Sequence, residues 1–242
     1  MSTTKVVKTV VMYLELLNDE LNKGFDIFRG QSEETWGLEP SISRLPNYGL
    51  EKSFGFDDWE YLETYLIETF QNSSVPYMNF EPTPLDWLVH AQHHGLPTRL
   101  LDWTSNPLKG LYFAVNDPSY DDKNGAVFIA SRYLSGNSFD YTNIKNVMFY
   151  QSKHLNNRII AQEGCFSVYP LPTGFEKFNE IREFLDYQLD EDGEINLKCK
   201  VIIPKECKSA IRQELRILGI TQQSLFPGLD GIAGSIVNPF YY

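Results

Sequence analysis

Cysteine is scarce in this chain: Cys165, Cys199 and Cys207 are the only three in 242 residues, and only four histidines accompany them. An odd number without paired spacing excludes a disulfide framework and a zinc knuckle, and fits reduced thiols in a cytoplasmic protein. Long apolar runs are missing too. No stretch reaches the roughly 20 apolar residues that a membrane-spanning helix needs, so no membrane association is expected. The opening residues mix polar and apolar side chains at helical spacing, without the unbroken apolar core of a signal peptide. Positive charge is in deficit, with Lys+Arg 21 against Asp+Glu 32 and a formal net charge of -11. That balance opposes general attraction to phosphate backbones or anionic lipid, so a nucleic-acid partner would need a local basic groove. Such a groove would draw on Arg44, Lys52, Arg99, Lys153 and Arg158. The glycine patterns of dinucleotide-binding and P-loop folds are absent, as is a G-x-S-x-G nucleophile elbow.

What the chain does contain is enough apolar and aromatic residue, 42% and 14%, spread from end to end, to build one packed domain over 1–242. Val7, Val10, Val11, Leu14, Leu17 and Leu21 recur at three- and four-residue steps before Gly24, which predicts a helix over 5–23 packed on the core. FDIFRG, residues 25–30, reads as a strand with Arg29 on the face of Phe25 and Ile27. Residues 56–71 carry a helical period. Prolines at 82 and 84 open a second such segment that Gly95 closes, and TRLLDWT, 98–104, reads as a strand. Asn106 and Pro107 form a helix start that turns Leu108, Leu111, Tyr112 and Val115 to the core. AVFIAS, the run after Gly164 and CKVIIP read as later strands, and SAIRQELRILG as a helix. DYQLDEDGEIN, 186–196, reads as an exposed loop or hairpin tip. The order predicts an α+β domain with a mixed or antiparallel sheet and flanking helices.

Four polar clusters interrupt this apolar framework. In FRGQ, Arg29 can fork two hydrogen bonds to phosphate while Gly30 admits a ligand to the backbone; the commoner fate of a buried arginine is pairing with a core carboxylate. QHHGLPTRLLDWTSN gathers His93, His94, Thr98, Arg99, Asp102 and Thr104. Alternation puts Thr98, Asp102 and Thr104 on one strand face. The adjacent histidines lack further ligands at metal spacing, so no metal is expected. RIIAQEG sets Gln162 and Glu163 at a strand entrance, where an amide or carboxylate reaches a ribose hydroxyl or simply meets solvent. SLFPGLDG reads as an architectural turn.

In order, these clusters resemble the FRG-domain family, whose tripeptide stands here as Phe28, Arg29 and Gly30. The resemblance continues through Trp36, Leu38, Pro40, Ser41 and Arg44, then Gln92, His93, Gly95 and the run 97–104. It extends through Asn106, Pro107, Leu108 and 111–114 to Arg158, Ile159, Gln162, Gly164, Phe166 and LFPGLDGI. More distantly the pattern is similar to ADP-ribosyltransferase folds, in which a split mixed sheet grips NAD. That similarity implies NAD as co-substrate, with Arg29, Gly30 and Gln31 holding the dinucleotide and Thr98, Arg99 and Thr104 walling the nicotinamide. An alternative register through 111–114 adds Tyr112. Gln162 or Glu163 would steady the ribose, and His93 or Asp102 would serve as base toward a protein or nucleic-acid acceptor. A toxin or antiviral defence effector, with an antitoxin or chaperone partner, is the setting implied. A nucleotide-binding module without turnover, and a hydrolase or nuclease using His93, His94 and Asp102, are the competing expectations.

Overall fold

Strands form where β-branched and aromatic residues run, and helices where a cap precedes a 3.6-residue period. The computed structural model describes residues 3–20, 26–45, 55–77, 81–132, 140–152, 156–181 and 194–237. Most of the acidic 186–196 stretch lies outside them, as do Lys52 and Lys153. Seven strands form one sheet: β1 (Thr3–Val6), β2 (Asp26–Gln31), β3 (Leu100–Thr104), β4 (Gly125–Arg132), β5 (Met148–Tyr150), β6 (Gly164–Val168) and β7 (Ile195–Ile203), in the order β1-β7-β4-β2-β3-β6-β5. β1 runs parallel to β7 and every other pairing is antiparallel, so the sheet is mixed. The described helices are α1 (Val10–Glu20), α2 (Trp59–Ser74), α3 (Pro84–His93), α4 (Pro107–Val115), α5 (Asn157–Gln162), α6 (Lys208–Ile217), α7 (Gln222–Leu225) and α8 (Leu229–Val237).

The N-terminus departs from the single helix expected over 5–23. Residues 3–6 extend the sheet instead, and α1 begins at Val10, because β7 offers a parallel edge that no local pattern announces. The buried stripe is Val10, Tyr13 and Leu17, whereas Val11 and Leu14 face solvent.

One sheet face packs Phe28, Val127, Ile129 and Val201 against α1, α4 and α6, and the other packs Ile27, Ala126, Phe128 and Trp103 against Trp59, Leu62 and Phe178. Two glycines bring α4 down onto β2. A Cβ on Gly30 would lie 2.0 Å from the Gly110 carbonyl oxygen, and one on Gly110 would lie 2.7 Å from Phe28 Cβ. Helix and strand backbones therefore nearly touch, which no side chain at either position permits.

The sheet is nearly divided in the middle. β2 is registered with β4 over six residue pairs and β3 with β6 over five, but β2 and β3 meet only at Phe28 opposite Thr104. Past that pair the strands diverge, and the Arg29 side chain enters the gap, its Nη1 donating to the Asp102 carbonyl at 2.7 Å.

Candidate functional site

A cleft of about 310 Å³ opens where the two halves of the sheet part. Arg29 and Gln31 reach it from β2, Asp102 and Thr104 from β3, Gln92 and His93 from the last turn of α3, and Arg158 and Gln162 from α5. Val89, Phe113, Ile159 and Phe166 supply apolar wall, and Trp36 stands at the side. Such a mixture of apolar lining with a few convergent polar groups suits a small ligand.

Each wall is held by identifiable bonds. Thr83 and Asp86 form a capping box at the start of α3, and Asp86 also accepts from Tyr150 at 2.8 Å and Ser152 at 2.9 Å, fixing the helix that carries His93. Asn106 caps α4 by accepting from the Leu108 and Lys109 amides at 3.0 and 3.3 Å. Thr104 donates to the Gln162 carbonyl at 2.7 Å and accepts from the Asn106 amide at 3.0 Å. Its hydroxyl is therefore consumed in joining β3 to the end of α5.

Arg29 is half-buried and no carboxylate lies within ion-pair distance of it among the described residues. Nη1 is spent on Asp102, while Nε is buried without a partner. Burial lowers the proton affinity of this guanidinium and the Asp102 charge opposes that shift. Two further lining groups carry orphaned polar atoms: Gln31, whose Nε2 donates to Gly37 but whose Oε1 has no partner, and Gln162, whose Nε2 has none. Buried polar groups are almost always satisfied, so these residues keep hydrogen-bonding capacity that the described residues do not fill, as some buried groups away from the cleft also do. The pairing fate weighed for Arg29 falls instead to Arg99. Its Nε donates to Glu63 at 2.7 Å and its Nη2 lies 2.5 Å from the same carboxylate, with both residues buried.

The imidazole of His93 titrates below its ordinary 6.5 because of burial and, secondarily, the charges of His94 and Arg158; Asp102 pulls the other way. It stands neutral at pH 7 and can accept a proton. Two arginines and one aspartate make the ionised lining net positive, inside a molecule of net charge -11. An anion is the ligand that this field favours.

Several expected site residues lie elsewhere. Thr98 is fully buried, its amide bonded to Ser41 Oγ at 3.0 Å and its hydroxyl to Gln92, so it braces α3 and does not line the cleft. Arg99 is committed to Glu63. Tyr112 is buried on the inner face of α4 and donates to Gln222 at 2.6 Å, outside the cleft. Gly30 lines the cleft, but its lack of a side chain serves the crossing of α4.

The strand entrance read at Gln162 and Glu163 is a helix end. Gln162 closes α5, and Glu163 follows in the left-handed conformation with φ 48°. That reversal sends the Glu163 carboxylate to Lys109 at 2.7 Å and Asn106 at 3.0 Å, away from the cleft. The Lys109 contact, followed by Asn106, holds it below the usual carboxylate range. Gln162 thus lines the cleft and Glu163 does not. Phe113, Val89 and Ile159 were not singled out for the site, since apolar wall residues look like any core position in sequence. Trp36, exposed five residues after FRGQ, was the visible signal.

The fold and cleft describe an α+β protein with a net-positive cleft between two sheet halves. Residues 26–123 match the family model of the FRG domain. No curated protein and no solved structure matches the chain.

Proposed function

We propose that the cleft binds NAD and supports transfer of ADP-ribose to a macromolecular acceptor. The observation that carries this reading is Arg29, a half-buried guanidinium with no carboxylate partner among the described residues, lining a cleft between two sheet halves. A pyrophosphate supplies the anion that the protein withholds. Gln162 lines the same cleft, and its side-chain amide would be the group that hydrogen-bonds a ribose hydroxyl. In the reaction the C1′–N bond breaks and its electron pair leaves with neutral nicotinamide. The acceptor's nucleophilic atom then bonds to C1′, and His93 takes the proton which that atom loses. Asp102, across from His93, favours the imidazolium that results.

Glu163 supports a second reading. With its carboxylate held by Lys109 and Asn106, the cleft lacks an acidic group at the ribose, which suits a nucleotide-binding module without turnover.

Incubation with NAD labelled separately in its nicotinamide and adenylate parts tests both. Nicotinamide release with transfer of the adenylate label is expected for the transferase. Saturable binding without release would select the module, and no binding at all would sink both.

A further inference from the structure

The turn Leu225-Phe226-Pro227-Gly228 looks architectural in sequence, but its phenylalanine reaches the cleft wall through a second arginine. Arg158, in the first turn of α5, is exposed and lines the cleft, and its guanidinium carbon sits 4.9 Å from the centroid of the Phe226 ring. Among the described residues no carboxylate pairs with it. Phe226 in turn meets Phe113, another wall residue, edge to face at 6.3 Å. The turn holds that ring in place. The Phe226 amide donates to the Gln222 carbonyl at 2.9 Å, and a Cβ on Gly231 would fall 1.6 Å from the Phe226 carbonyl oxygen, so α8 folds directly against the turn.

We propose that Arg158 is a second anion-binding residue of the cleft, positioned by Phe226, and that the two arginines together select ligands carrying two linked phosphates over those carrying one. This rests on the reading of the cleft as a nucleotide site but not on transfer chemistry. Arg29 sits deep, between the strands, with one nitrogen already spent, so it serves one phosphate. A second phosphate nearer the mouth needs its own donor. An exposed arginine loses rotamer freedom when it clamps a ligand, and an aromatic ring beneath the guanidinium removes part of that freedom beforehand. Arg158 lines the same cleft as His93 and Asp102.

Calorimetric titration of the full chain with ADP and with AMP tests the proposal. The unaltered protein is expected to prefer ADP by about tenfold, the scale of one charge-assisted phosphate contact at a partly exposed site. Arg158→Ala should bring ADP affinity down to that of AMP, leave AMP within about twofold, and keep the melting temperature, since the side chain is exposed. Phe226→Ala should lower the ADP preference in the same direction and Phe226→Trp should retain it, which separates positioning from packing. Arg29→Ala should weaken both ligands. A wild-type protein without ADP preference, or an unchanged ADP to AMP ratio in Arg158→Ala, overturns the proposal. Loss of the ratio in a protein that never releases nicotinamide from NAD sinks the transfer reading and leaves this one standing. NAD turnover with an unchanged ratio does the reverse.

Discussion

Arg29 lies on β2 and Arg99 stands just before the adjoining β3, yet Arg99 is neutralised by a carboxylate and Arg29 is not. Arg99 meets Glu63 in a buried, multiply bonded pair. Replacing Glu63 by Gln leaves a buried guanidinium uncompensated and should cost about 3–5 kcal/mol of stability in urea unfolding. Arg29→Lys keeps the charge but loses the planar fork. It should weaken ADP or NAD binding by about 1.5–3 kcal/mol while the unfolding midpoint holds, because no ion pair is broken. His93 sets the pH response. Its folded pKa is depressed below 6.5, so the unfolded chain binds the proton more readily. The stability that His93 contributes is full above 6.5 and is lost as pH falls toward the folded value. If His93 is the base, turnover should show an acid limb below pH 6.5, and His93→Gln should lower the plateau and abolish that limb; an unchanged profile in the variant would remove His93 from the mechanism.

At the scale of elements, the join between α5 and β6 is made by one left-handed, non-glycine residue. Glu163 bears that strain, about 1 kcal/mol, while its carboxylate ties α5 to Lys109 and Asn106 at the start of α4. Both Glu163→Ala and Glu163→Gly lose the tie, but only glycine relieves the strain. The glycine variant should therefore be the more stable of the two by about 1 kcal/mol in chemical denaturation. The other close junction is stricter. Gly30→Ala drives a methyl group into the backbone of α4 and should destabilise by about 3 kcal/mol or unfold the chain, at the upper end for overpacking. These junctions mark the limit of what the sequence discloses. The Arg29 strand, the TRLLDWT strand and the Asn106-Pro107 helix start were legible, because period and caps are local signals. The reversal at Glu163 was not, since a helix end without glycine looks like the start of a strand. The fates of Thr98, Arg99 and Tyr112 were also hidden, because Ser41, Glu63 and Gln222 lie far away in the chain.

Across the whole molecule, the stretch matched by the family model does not contain the sheet that supports it. Residues 26–123 include β2 and β3, but β4 and β6, their long-paired neighbours, begin at Gly125 and Gly164. A fragment of 26–123 should therefore fail to give a cooperative unfolding transition by circular dichroism, whereas the 242-residue chain gives one. The same boundary divides the cleft. Arg29, Gln31, Gln92, His93, Asp102 and Thr104 lie within the matched stretch, whereas Arg158, Ile159, Gln162 and Phe166 come after it. The cleft thus has a floor built from the matched stretch and a roof built from later residues, meeting at the Thr104 to Gln162 bond. Ligand preference can drift by changes in the roof alone, without disturbing the strands and the α3 capping box that hold the floor.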